Sequence, residues 1–176
     1  MLDPFTARAL RNVRADLISL KLGINLINGD VMRERAFGPA VHGYLDAVRE
    51  GHPDTPVVLI SPIYCAIHEN TPGPTGTEFD GTRAWCVATG VPGGPGKLTL
   101  TWIRQTLADI VALRAKTDPN LHYLDGTKLY GPEDYAVLPL PDELHPAHAT
   151  HLQMGERFAK WAFEPAGPFC FSTAVR

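Results

Sequence analysis

The stretch Leu17-Ile18-Ser19-Leu20-Lys21-Leu22-Gly23-Ile24-Asn25 decides the fold. A short run this rich in Leu and Ile suits a strand buried in a parallel sheet, Gly23 closes it in a turn, and Asn25 then sits just past the strand's carboxyl end. The same unit recurs outward from it. Val57 to Ile60 reads as a second buried strand, stopped by Ser61-Pro62, and Leu121 to Leu124 as a third. Phe37, Val41, Leu45 and Val48 repeat at helical spacing until Gly51 and Pro53, and Ile103, Leu107, Ile110 and Leu113 do so until Asp118-Pro119. Before the first strand, Phe5, Ala9 and Val13 mark a short amphipathic helix with Pro4 in its first turn. After the third, Pro146 opens a final helix with Leu152, Phe158 and Ala162 turned inward.

Strands alternating with helices of these lengths imply right-handed crossovers and a parallel sheet covered on both faces, a three-layer α/β/α domain. Ligands bind such sheets at the carboxyl ends of the strands. That rule gathers Asn25, Ser61, Gly126 and the segment Asp142 to His145 along one edge. We expect one domain over residues 1–163 and a surface tail over 164–176. Residues 62–97, rich in Pro and Gly and without a sustained period, read as a long irregular loop of the kind that serves as a lid or binding loop.

Composition narrows the function. In 176 residues with 44% apolar content there is material for one real core. A net charge of −3 with both signs interspersed offers no basic stripe, so nucleic acid is not an expected partner. No run approaches the ~20 apolar residues of a membrane span, and the Arg-containing start lacks the apolar core of a secretion signal. A cytoplasmic protein is the expectation. Cys65, Cys86 and Cys170 have no metal-type spacing and read as free thiols, with a Cys65–Cys86 bridge left open. We expect no cofactor and no metal. His145, His148 and His151 repeat every third residue, but no further ligand is evident in sequence, and Gly90 to Lys97 fails the phosphate-loop pattern twice, at Val91 and Leu98.

Asp142-Glu143-Leu144-His145-Pro146 carries the chemistry. Acyl transfer needs a base to take the nucleophile's proton and a carboxylate to hold that base in the right tautomer, and Asp-x-x-His supplies both. Alone, the pattern also fits a helix cap. Gly23-Ile24-Asn25 adds a side-chain amide aimed from a turn into the same crevice, as an oxyanion donor would be. Ser61, at the crevice edge, and His68, in the long loop, are candidate substrate contacts; for His68 an exposed loop position is the plainer reading.

Gly-x-Asn after one strand and Asp-x-x-His-Pro before the last helix, in this order, resemble the third and fifth sequence blocks of the SGNH (GDSL-type) hydrolases. The resemblance runs through residues 16–25, 60–63, 121–126 and 140–146. It implies a flavodoxin-like α/β/α hydrolase of esters or related acyl compounds, some members being acyl transferases. By that resemblance His145 is similar to the general base, Asp142 to its orienting carboxylate and Asn25 to the oxyanion donor. Leu26 stands where the family often has Asp.

The family's serine-bearing first strand has no counterpart before Asp16. Of Ser19, Ser61 and Ser172, Ser19 falls mid-strand, Ser172 in the tail, and Ser61 before Pro62 without a nucleophile elbow. We therefore expect no nucleophile in this chain, an N-terminally truncated domain lacking the first strand, and no acyl chemistry from the chain alone. A non-catalytic remnant or ligand-binding module of the same fold is the alternative; a flavodoxin-like cofactor binder lacks its phosphate loop. The expected partner is a small ester or acyl substrate. Strand 17–22, left at an edge, is a candidate for self-association.

Overall fold

The computed structural model describes residues 2–170. The chain runs α1 (Pro4–Asn12), β1 (Ile18–Lys21), α2 (Ile24–Asn28), α3 (Glu34–Gly51), β2 (Val57–Ile60), β3 (Thr75–Phe79), β4 (Ala84–Ala88), α4 (Leu100–Arg114), β5 (Leu121–Leu124), α5 (Pro132–Val137) and α6 (His148–Phe163). Short 3-10 turns occur at Ala66–His68 and Gly126–Lys128.

β1, β2 and β5 form a parallel sheet in that order, with Ile18 opposite Val57 and Val57 opposite Leu121. The three strands lie where the sequence puts them, β1 shorter by a residue at each end. Central β2 is buried at every position, so both its faces are covered. At β1 the expected double cover fails: Ile18 and Leu20 are buried, whereas Ser19 and Lys21 on the other face are exposed. Among the described residues β1 has a strand partner on one edge alone.

The helical stripes are legible in α3, where Phe37, Val41, Leu45 and Val48 are all buried. Phe37 meets the Trp102 ring edge-on at 5.7 Å, a favoured geometry for aromatic quadrupoles. In α4, Leu100, Ile103, Leu107, Ile110 and Val111 are inside and Leu113 is out. α1 reverses the expectation. Phe5 and Val13 are exposed, and the helix meets α3 through Ala7 and Leu10 instead. Small Ala7 lets the two helix backbones approach, and the larger apolar stripe is left facing out. α6 begins two residues after Pro146, with Ala162 buried but Leu152 exposed. Past its end, Phe169 folds back so that its amide donates to the Ala162 carbonyl at 2.8 Å.

The long loop is more ordered than its composition suggests. β3 and β4 pair as an antiparallel hairpin, Thr77 opposite Cys86. Its root is pinned by Glu69, which accepts from the Cys65 amide and pairs with Arg104.

α5 and α6 are joined by Asp134, which accepts from Arg157 (2.6 Å), Gln153 (2.6 Å) and the Gly131 amide (2.9 Å). The Arg157 contact, with the other two and against the opposing effect of burial, holds its carboxyl down to about 2 from 3.8. A carboxyl depressed on folding stabilises above its unfolded pKa, and that contribution is lost as pH falls through the folded one. The acid limb of a melting-temperature profile between pH 4 and 2 is therefore expected to flatten in Asp134→Asn. An unchanged limb would rule the linkage out.

Candidate active site

Gly23 ends β1 with φ +131°, and a Cβ there would lie 2.7 Å from Pro62 Cγ and 2.9 Å from Ile103 Cγ2. Only glycine meets both demands. The turn leads directly into α2, whose first residues place Asn25 in the open beside Asn28, one helical turn further on. The plain turn expected after β1 is thus a short helix.

Across the crevice, residues 140–146 are held by their own acid. Asp142 Oδ1 accepts from the His145 amide (2.7 Å) and the Leu144 amide (3.1 Å), while Oδ2 lies 2.7 Å from His145 Nδ1. Glu143 between them takes φ +67°, a left-handed conformation that turns the chain back tightly enough for both contacts. Partial burial raises the Asp142 carboxyl, but the hydrogen bonds from the His145 ring, the His145 amide and the Leu144 amide outweigh it, and the group ends below its usual value. An ionised Asp142 fixes the proton on His145 Nδ1 and leaves Nε2 as the basic atom. His145 is well exposed, its side chain at 71%.

A pocket of about 110 Å³ lies between these two features, lined among others by Lys21, Asn25, Asn28, Cys65, His145 and Pro146. It brings Asn25 and His145 together at the carboxyl end of the sheet. A larger groove of about 460 Å³ between α1 and α3 is lined by Arg8, Arg11 and Glu50, the last two paired at 2.8 Å.

Two sequence candidates stand elsewhere. Ser61 is fully buried, its Oγ accepting from the Gly126 amide at 2.9 Å. It ties β2 to the turn after β5 and does not line the pocket. His68 is also fully buried, with Nδ1 3.0 Å from the Thr71 carbonyl and Nε2 2.7 Å from Thr75 Oγ1. It is neither the exposed loop residue expected nor a direct substrate contact. Ser19 lies on the exposed face of β1 and does not line the pocket, and Ser172 lies outside the described residues.

Sequence reasoning missed the hairpin's part. The Cys86 amide donates to the Asp142 carbonyl at 2.8 Å, and Arg83 donates to the Pro141 carbonyl, so β4 braces the loop that carries the acid. No local motif announces a contact across more than fifty residues. Cys86, Asp142 and His145 also present donor atoms within 4.8 Å of one another, a set the histidine spacing did not suggest. The acid–base pair already accounts for two of the three. The three cysteines are free, with burial pushing the Cys65 thiol up to about 12.

No family model and no curated protein sequence matches the chain. Solved structures do. A salicylyl-acyltransferase, SsfX3, from a tetracycline biosynthetic pathway is 30% identical with a TM-score of 0.68, the match covering 90% of this chain and 40% of that one. A GDSL-like lipase from Bacteroides ovatus is 18% identical with a TM-score of 0.58, again over 90% of this chain and 40% of the other. The fold is therefore the α/β fold of SGNH hydrolases. In fold the chain is similar to these SGNH (GDSL-type) proteins. It spans 40% of the length of either solved relative.

Proposed function

We propose that the domain serves an SGNH-type carboxylic ester hydrolase or acyl transferase working through an acyl-enzyme. The observation that carries this is the 2.7 Å contact of Asp142 Oδ2 with His145 Nδ1 beside a pocket that Asn25 also lines. His145 Nε2 takes the proton of a serine hydroxyl as its oxygen attacks the acyl carbonyl. Asp142 stabilises the imidazolium that forms. The Asn25 amide, which has no hydrogen-bond partner among the described residues, donates to the developing oxyanion. His145 then returns the proton to the departing alcohol, and water or an acceptor alcohol releases the acyl group by the same steps in reverse.

The serine itself comes, in this reading, from polypeptide beyond these residues, on a strand laid along the unpaired edge of β1. Three features support that. Ser61 is buried and Ser19 does not line the pocket, β1 keeps an unpaired edge among the described residues, and its Ser19–Lys21 face is exposed. The chain alone is then without acyl chemistry. Because one relative is an acyltransferase, acyl transfer to an alcohol is a reaction to test beside hydrolysis.

A fluorophosphonate probe tests the proposal. The chain alone is expected to stay unlabelled, and labelling of one serine is expected once the sequence preceding Met1 in its reading frame is joined to it. Labelling that survives His145→Ala, or none with the added sequence, overturns the reading and favours a binding module of the same fold.

A further inference from the structure

Asn28 is the pocket residue whose polarity the fold dictates. Its Oδ1 is placed 3.1 Å from Thr75 Oγ1, which lies 2.7 Å from His68 Nε2, whose ring reaches the Thr71 carbonyl 3.0 Å from Nδ1. A half-turn exchanges the two ends of an amide, so counting protons along this chain decides which end faces Thr75.

The Thr71 carbonyl can only accept, and His68 Nδ1 must therefore carry a proton. His68 has no exposure, neither of its ring nitrogens bonds a carboxylate, and burial lowers its affinity for a second proton. The ring is then neutral and Nε2 is a bare acceptor. Thr75 has one hydroxyl proton and must spend it on Nε2. Its oxygen is left to accept, so Asn28 turns its N–H₂ inward and its carbonyl oxygen outward. That oxygen has no other partner among the described residues, and Asn28 lines the pocket three residues after Asn25.

We infer that Asn28 is a specificity-determining acceptor, positioned through Thr75 by His68, and that the site takes acyl compounds with an N–H or O–H donor adjacent to the carbonyl. Asn25 and Asn28 then face the ligand with opposite polarity within one turn of α2. A ligand without the donor leaves the Asn28 oxygen dry and unpaired, a mismatch that polar sites reject more strongly than they reject a missing methylene. Describing the ligand as an acyl compound rests on the function proposed above; the proton wiring does not.

Nitrogen-15 NMR of this chain reads the wiring directly. At neutral pH His68 is expected as the neutral Nδ1–H tautomer, and an Nε2–H tautomer or an imidazolium overturns the inference. N-methylacetamide and methyl acetate, equal in shape and differing in the donor, then probe the pocket by shift titration. The amide is expected to bind at least fivefold tighter, with the preference falling to near unity in Thr75→Val while Asn25 shifts persist. Equal binding by the unaltered chain, or a preference untouched by Thr75→Val, overturns it. Neither measurement needs a nucleophile. Failure of the fluorophosphonate test therefore sinks the enzymatic reading alone.

Discussion

Asp142→Asn, in a form of the protein that reacts with fluorophosphonate, is expected to lower kcat/KM for a p-nitrophenyl ester by roughly 10³- to 10⁴-fold. The size of the loss follows from which contacts survive. An Asn oxygen can still accept from the His145 and Leu144 amides, as Asp142 Oδ1 does at 2.7 and 3.1 Å, so the loop keeps its shape. The other end becomes an N–H₂ pointed at Nδ1. His145 must then carry its proton on Nε2, the atom that should be basic, and no carboxylate remains to stabilise the imidazolium. Loss is expected in kcat with KM little changed, because Asp142 touches the base and not the ligand. A decrease below tenfold would show that His145 does not act as the general base.

Gly23→Ala is expected to cost about 4 kcal/mol, combining left-handed backbone strain with overpacking. Both terms can be located. The φ of +131° disfavours any side chain, and the added methyl would press on Pro62 Cγ at 2.7 Å and Ile103 Cγ2 at 2.9 Å. Pro62 begins the segment that roofs the pocket and Ile103 is core, so neither yields cheaply. Urea unfolding measures the loss, and a change under 1 kcal/mol would mean that the turn relaxes freely. The Asn25 amide should also shift in NMR, since α2 starts at the next residue.

The sheet and the acid–base pair were legible because their signals are local. β2 is a continuous apolar run between Pro56 and Ser61-Pro62, β5 a short Leu-His-Tyr-Leu run before Asp125-Gly126, and Asp142 reaches His145 within one turn of chain. Helix positions were legible and helix faces less so. Phe5 and Ala9 lie in α1 but are exposed, as is Val13 just past its end, because the partner α3 selects the small Ala7 face. The hairpin was hidden for another reason: no position in its strands is buried, so burial never imposes on them the alternation by which strands are recognised. His68 was misplaced because its burial depends on Thr71 and Thr75 closing over it, which no spacing encodes.

That hairpin joins the two walls of the pocket. Thr75, at the start of β3, contacts Asn28 on one side, and Cys86, in the middle of β4, holds the Asp142 carbonyl on the other. On the roles proposed above, ligand choice and proton transfer both hang from this one hairpin. Grafting a different hairpin to alter selectivity would also release the carboxylate that orients the base, so in this scaffold a new preference has to be sought by single side-chain changes at the β3 root, with β4 left intact.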